Sequence, residues 1–310
     1  MVLGNENDAE TLGKLNDLKK VNPKLKILIS VGGWSWSKNF SDAVLTEDSR
    51  EIFANSAIAF MQKHQLDGID LDWEYPGQVG AGNTFRPEDK QHFTEVLKLL
   101  RKKLDSVSGS REHFLLTIAT GANQDYLDHT NLAEAEQYLD FLNIMTYDFY
   151  TGGSSDTGHH ANLYQSDQDT TESPRSANKA VQQHLKAGVP AEKITLGVPF
   201  YGRWWKSVNP INKGRYQTST GERGSFNYKA IADSLKMDKW KSYWDAAAQV
   251  PYIWREQDSL FLTYENERSL RLKSDYVKEN NLGGIMFWEF NGDNGSLLET
   301  IYEQLQEKGK

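Results

Sequence analysis

The chain has 310 residues, a formal net charge of −8 and no cysteine. That length holds one large α/β core or two smaller ones. The acidic balance, with no basic run, argues against nucleic acid or an anionic membrane surface as a partner. Lack of thiols excludes disulfides, cysteine nucleophiles and cysteine zinc sites. No apolar run approaches the ~18 residues that span a bilayer, and the start lacks the basic and apolar segments of a signal peptide. Nine tryptophans are core residues or platforms that stack on sugar rings.

In chain order, residues 9–22 read as a helix and 26–31 as a buried strand ending in Gly32 and Gly33. Residues 48–65 form a helix with Ile52, Phe53, Ala57, Phe60 and Met61 on one face. An acidic strand follows, then a helix from Pro87 to about residue 107, with proline well placed in its first turn. Residues 114–120 and 141–147 are strands separated by a short helix at 132–139. A helix at 174–187 and a strand at 194–200 come next, and the long aromatic segment 203–262 breaks the rhythm. A helix at 267–280, a strand at 284–290 and a closing helix at 297–306 complete the chain. Strand-helix alternation predicts a parallel sheet with helices outside. About six strands are visible where a closed (β/α)8 barrel needs eight. Two architectures therefore fit: a doubly wound sheet, or a barrel lacking its first strand, first helix and second strand.

The most informative segment is Asp-Gly-Ile-Asp-Leu-Asp-Trp-Glu at residues 67–74. Asp70, Asp72 and Glu74 alternate with Ile69, Leu71 and Trp73, so a strand aims the three carboxylates to one face and the apolar set to the other. An edge strand in solvent could carry alternating acids, but its other face would rarely hold a Trp followed by Tyr75 and Pro76. An EF-hand loop needs its glycine sixth and polar spacers, whereas Gly68 is second and the spacers are apolar. Paired carboxylates for acid-base work remain. His159 and His160 lack metal-ligand spacing and read as solvent or cleft-rim residues. Gly32 and Gly33 lack the longer phosphate-binding fingerprint and read as allowing close packing beside the acidic strand.

The octapeptide resembles the catalytic signature of family 18 glycoside hydrolases, the chitinases and their relatives. Four further segments are similar to that family's motifs in order and spacing: Ser-Val-Gly-Gly-Trp at 30–34, Met-Thr-Tyr-Asp-Phe at 145–149, Gly-Val-Pro-Phe-Tyr-Gly-Arg at 197–203 and Gly-Gly-Ile-Met-Phe-Trp-Glu at 283–289. The resemblance implies an α/β fold, a (β/α)8 TIM barrel with its first two strands missing. The barrel would comprise residues 1–202 and 263–310, and residues 203–262 would be the small α+β insertion after strand seven of the bacterial chitinase A-like subgroup. Residues 1–7 would be a remnant of the loop after strand two.

By the same resemblance Glu74 is the general acid, Asp72 steers and stabilises the substrate's 2-acetamido group, and Asp70 shares a proton with Asp72. Neighbouring carboxylates in a low dielectric resist double ionisation, which would also raise Glu74. Tyr147 is the matching hydrogen-bond donor to the acetamide oxygen, Asp148 a substrate-contacting acid, and Trp288 the indole under the sugar before the cleaved bond. Met145, Trp34, Tyr75 and Arg203 complete the expected substrate contacts. Asp67 has two open readings, substrate contact or positioning the start of the strand. Trp36, Trp204 and Trp205 are weaker cleft candidates, and Trp240, Trp244 and Trp254 are expected to hold the inserted domain together. The resemblance implies chitin or N-acetylglucosamine oligosaccharides as partner, a monomer with no cofactor or metal, and secretion. Alternatives are an endo-β-N-acetylglucosaminidase on N-glycans, a chitinase-like binding protein, and an inactive truncated barrel.

Overall fold

A computed structural model describes residues 7–108, 113–171, 173 and 175–306. The chain divides into two compact units, Met1–Asn143 with Lys186–Val189, and Ile144–Leu185 with Pro190–Lys310.

The first unit contains α1 (Asp8–Leu18), β1 (Leu28–Gly32), α2 (Phe40–Ala43), α3 (Glu47–Lys63), β2 (Gly68–Asp72), α4 (Asp89–Ser108), β3 (Leu115–Thr120), α5 (Gln124–Asp128), α6 (Leu132–Ala135) and β4 (Phe141–Ile144). Its strands lie in the order β1-β2-β3-β4, with β1–β2 and β2–β3 parallel. Each strand lies beside its predecessor without reversal, which is the winding of a barrel and not that of a doubly wound sheet.

Helix α3 begins where it does because Thr46 and Ser49 cap each other's backbone N–H groups, and Glu47 and Asp48 sit at the positive end of its dipole. Its buried face is Ala54, Ala57, Ile58, Phe60 and Met61. Ile52, expected on that face, is instead exposed. The buried stripe is set one step round the helix, where Ala54 and Ile58 replace it. In α4, Phe93, Val96, Leu97, Leu100 and Leu104 repeat at helical spacing and are buried. Trp73, immediately after β2, is stacked on Phe40 at 5.2 Å and meets the edge of Phe93 at 6.0 Å.

The second unit contains α7 (Ala177–Lys186), β5 (Ile194–Pro199), β6 (Tyr201–Trp205), β7 (Arg223–Asn227), α8 (Tyr228–Lys236), β8 (Ser242–Asp245), β9 (Val250–Arg255), β10 (Leu260–Thr263), α9 (Glu267–Glu279), β11 (Gly284–Trp288) and α10 (Ser296–Gln306). Strands β5 and β11 pair in parallel, with Gly197 opposite Met286. The other five strands form an antiparallel sheet in the order β7-β6-β10-β9-β8. The segment that broke the strand-helix rhythm is thus a sheet of its own with one helix, and its first strand starts at Tyr201. Its core joins Phe200, Ile231, Ile253, Leu262, Leu270 and Leu297, and Phe200 stacks on Phe287 at 4.5 Å.

The strands expected from the sequence are present with shifted ends, and the helix expected at 132–139 is one short turn of α-helix followed by a 3-10 turn at Glu136–Tyr138. Pro174 and most of the expected remnant loop at 1–7 lie outside the described residues. Among the described residues no helix is long and apolar enough to cross a membrane.

One ion pair in the second unit is wholly buried. Lys273 on α9 bonds Glu265 and the carbonyl of Ala161, and Ser269 donates to the other oxygen of Glu265. Removing one partner strands a charge, whereas removing both does not. Lys273→Met alone should cost about 3–5 kcal/mol, and adding Glu265→Gln should recover more than half of it. Urea unfolding of both variants measures this, and equal losses would contradict it.

Candidate active site

The acidic face of β2 is built by strand register. Parallel pairing sets residues of one parity side by side, so Asp70 lies between Ser30 of β1 and Thr117 of β3. Both neighbours are hydroxyl donors: Ser30 Oγ reaches Oδ2 and Thr117 Oγ1 reaches Oδ1, each at 2.6 Å. Asn143 of β4 adds a further hydrogen bond. Burial raises the Asp70 carboxyl above its ordinary range, and these three bonds hold it back without cancelling the rise.

Asp72 has no such donors. Its register partner is Gly32, where an added Cβ would lie 2.2 Å from the Asp72 carbonyl oxygen, so a larger residue would push the strands apart. Gly33, at φ +89°, donates its N–H to that same carbonyl at 2.7 Å. Asp72 Oδ1 is buried with no hydrogen-bond partner among the described residues. Burial first, then the charges of Glu74 and Asp70, push the Asp72 carboxyl up to about 8.

Glu74 is buried, two residues beyond the end of β2. Its backbone is pinned by Ser37, whose Oγ accepts from Glu74 N at 2.9 Å and lies 2.9 Å from Gly33 O and 3.1 Å from Asp72 O as donor. The buried hydroxyl of Tyr126 on α5 is raised by burial and then by the charges of Asp72 and Asp70. Tyr75 meets the Tyr126 ring edge-on at 6.1 Å.

Asp70, Asp72 and Glu74 are therefore brought together in this unit. Asp67 is at the opposite end of β2, where it accepts from Ile27 N at 2.7 Å and pairs with Lys19 at 2.5 Å. Those contacts fix the start of the strand and leave Asp67 away from the other three acids, so of its two readings the positioning one describes its surroundings. Trp34 and Trp36 are exposed after β1.

In the second unit, Thr146 Oγ1 donates to Gly197 O at 2.6 Å and ties the segment after β4 to β5. Tyr147 then points its hydroxyl toward Met286 Sδ on β11 at 3.9 Å and sets its ring edge-on to Tyr201 at 6.3 Å. Met145 is half-buried. Asp148, at φ +56°, receives a two-pronged bond from Arg203 of β6: Nε to Oδ1 at 2.8 Å and Nη2 to Oδ2 at 2.6 Å. Burial would raise the Asp148 carboxyl, but the nearby His160 imidazole and the hydrogen-bonded Arg203 guanidinium hold it well below the usual range. Trp288 ends β11 and is 55% exposed.

The expectations for His159, His160 and Trp205 are corrected here. His159 and His160 are fully buried and not at a rim. His159 bonds Asp245 at 3.1 Å, an acid that also binds Ser166 and Arg215. Trp205 is wholly buried with its ring 6.1 Å from that of Phe261, and Trp204 is half-buried on Phe226.

Sequence reasoning did not single out Thr117, Asn143, Ser37 or Tyr126. Thr117 was reachable, since it is a polar residue inside an apolar strand at the parity that faces Asp70. Ser37 and Tyr126 carry no local signal. Among the described residues no group of three or more potential ligands is placed to hold a metal ion.

Comparison with known proteins gives one family, glycosyl hydrolases family 18, matching residues 1–293. Chitinase A1 of Niallia circulans is 42% identical over 307 residues, covering 94% of this chain and 44% of its own length. The chain thus spans less than half of that relative. A family 18 N-acetylglucosaminidase from Paenibacillus barengoltzii superposes with a TM-score of 0.90 at 42% identity, covering 95% of this chain and 86% of that one. Chitinase ChiA74 from Bacillus thuringiensis gives 0.91 at 38%, covering 96% and 52%.

The raised Asp72 carboxyl has a consequence for stability. Its neutral form is favoured in the fold, so its contribution is full below the ordinary carboxylate range and is lost as pH rises toward about 8. Urea unfolding between pH 4 and 8 should show stability falling more steeply for the native chain than for Asp72→Asn. Parallel curves would mean that Asp72 ionises like an exposed aspartate.

Proposed function

The chain belongs to glycosyl hydrolases family 18, and on that premise we propose that it hydrolyses β-1,4 linkages between N-acetylglucosamine units of chitin and chitooligosaccharides, with retention, by substrate-assisted catalysis. Its fold is accordingly of the TIM-barrel-like α/β kind. Most retaining glycosidases supply a carboxylate nucleophile, and this family is an exception in which the substrate's own group attacks. The observation that carries the reading is the graded environment along one strand. Asp70 is held by three donors, Asp72 is raised to about 8 with an unpartnered oxygen, and Glu74 is fixed through its backbone.

In this mechanism Glu74 protonates the glycosidic oxygen as the C1–O bond breaks. The 2-acetamido oxygen attacks C1 and gives an oxazolinium ion, which water opens with Glu74 now acting as base. Asp72 accepts the acetamide N–H and stabilises the positive ring, while the Asp70–Asp72 pair shares a proton. Tyr147 donates to the acetamide oxygen, Trp288 packs under the sugar, and Asp148 with Arg203, Met145, Trp34 and Tyr75 contact substrate. Intramolecular attack contributes about 7–11 kcal/mol through orientation, so the protein needs one acid and one steering group and not two opposed catalytic carboxylates. We further propose that Trp240, Trp244 and Trp254 stiffen the inserted sheet, that the chain acts as a monomer, and that it acts outside the cell, where its polymer lies. The likeness to an N-acetylglucosaminidase favours a second reading, release of single N-acetylglucosamine units from chain ends.

Time-resolved analysis of products from chitohexaose tests both readings. Glu74→Gln should lower the rate about 10²–10⁴-fold, and equal rates would remove Glu74 as the acid. Disaccharide products support the first reading and monosaccharide alone the second. A thiazoline mimic of the oxazolinium ion should inhibit competitively, and turnover unaffected by it would remove acetamide participation.

A further inference from the structure

His160 is the buried titratable group for which the proposed mechanism has no use. Its backbone is fixed on both sides, with the carbonyl accepting from Phe149 N at 3.1 Å and the N–H reaching Thr263 Oγ1 at 3.4 Å. Its ring is wholly buried beside Tyr201, with centroids 5.4 Å apart. Nδ1 stands 3.6 Å from Asp148 Oδ1, just outside hydrogen-bond length, and neither ring nitrogen has a hydrogen-bond partner among the described residues. A buried polar group left so calls for an explanation.

The explanation lies in which oxygen His160 faces. Asp148 Oδ1 already accepts from Arg203 Nε at 2.8 Å, while Arg203 Nη2 holds Oδ2 at 2.6 Å. A neutral imidazole leaves that fork intact. A protonated one presents a charged N–H donor to Oδ1, and a shift of a few tenths of an ångström completes the bond. Two cations would then compete for one partly buried carboxylate, and sharing Oδ1 weakens the Nε prong of the Arg203 fork.

We propose that His160 is a positioning residue for Asp148, keeping the Asp148–Arg203 fork closed while neutral and opening it when protonated, so that saccharide binding weakens in acid. This rests on the reading of Asp148 as a saccharide contact. The groups that face the imidazole are Asp148, Arg203, Glu265 and Tyr201, and Lys273 neutralises Glu265 from behind. Burial lowers the His160 pKa, Asp148 and Glu265 oppose that, and Arg203 adds to it. The net fall keeps the fork closed at neutral pH and confines the switch to acid.

Calorimetric binding of chitotetraose to the full chain carrying Glu74→Gln, which halts turnover, is measured from pH 4 to 8 with and without His160→Gln. With His160 present, Kd should rise by up to about tenfold per pH unit below the imidazole midpoint; with Gln that part of the rise should vanish. Equal acid dependence in both proteins overturns the proposal. His160→Asn serves as a second uncharged variant should the Gln protein fail to fold. If neither protein binds at any pH, the saccharide reading itself falls, and the coupling is then judged by ¹⁵N NMR titration of the His160 ring. Its midpoint should drop in Asp148→Asn, and an unmoved midpoint overturns the coupling.

Discussion

The structure of the first unit is governed by one electrostatic problem, three acids at alternate positions along β2 and just past its end. Like charges at that spacing in a low dielectric cannot all ionise without large cost. The fold resolves this unequally. Asp70 receives hydroxyls from both register neighbours, supplied because parallel pairing places Ser30 and Thr117 beside it. Asp72 faces Gly32, its Oδ1 has no hydrogen-bond partner among the described residues, and it is raised to about 8. The gradient from a partnered carboxylate to an unpartnered one follows from which residues share a register, so it is written in β1 and β3 as much as in β2.

The second unit handles buried charge by pairing. Arg203 and Asp148 meet as a planar fork, Lys273 and Glu265 as a closed pair, and Asp245 collects His159, Ser166 and Arg215. The Asp148 and Asp245 contacts join segments far apart in sequence, Lys273 and Glu265 are local to α9 and the residues before it, and each pair would be costly to break singly. The antiparallel sheet between Tyr201 and Thr263 is thus fastened to the 148–166 segment by ionic contacts as well as by its core: Arg203 of β6 holds Asp148, and Asp245 of β8 holds His159 and Ser166.

The acidic strand was legible because alternation is a local property and eight residues suffice to state it. Strand-helix order was legible for the same reason, down to β5 and β11. What escaped depends on contacts between distant segments. Ser37 lies beside Glu74 only because Gly33 lets β1 turn across the end of β2, and Tyr126 is apposed to the acids through a five-residue helix too short to show a period. His159 and His160 were misplaced because their surroundings are polar in sequence, while the partners that bury them, Asp245 and Tyr201, lie about 85 and 40 residues away in the chain. Ile52 failed for a smaller reason, a one-step rotation of a helix face that mixed apolar spacing could not resolve.

The opposite treatment of Asp72 and Asp148 carries a last step. Both are partly buried, yet one is pushed up to about 8 and the other held far below the ordinary range. The difference is the neighbour: Asp72 has two further acids, Asp148 a guanidinium. Environments that push two carboxylates apart assign them separate tasks. A permanently charged Asp148 suits a fixed hydrogen-bond acceptor. In the proposed mechanism Asp72 exchanges a proton with Asp70, taking on negative charge as positive charge develops on the substrate and regaining the proton once that charge has gone. On that proposal a strand with only Asp72 and Glu74 would lack the partner for the exchange, a part that falls to Asp70, deepest of the three.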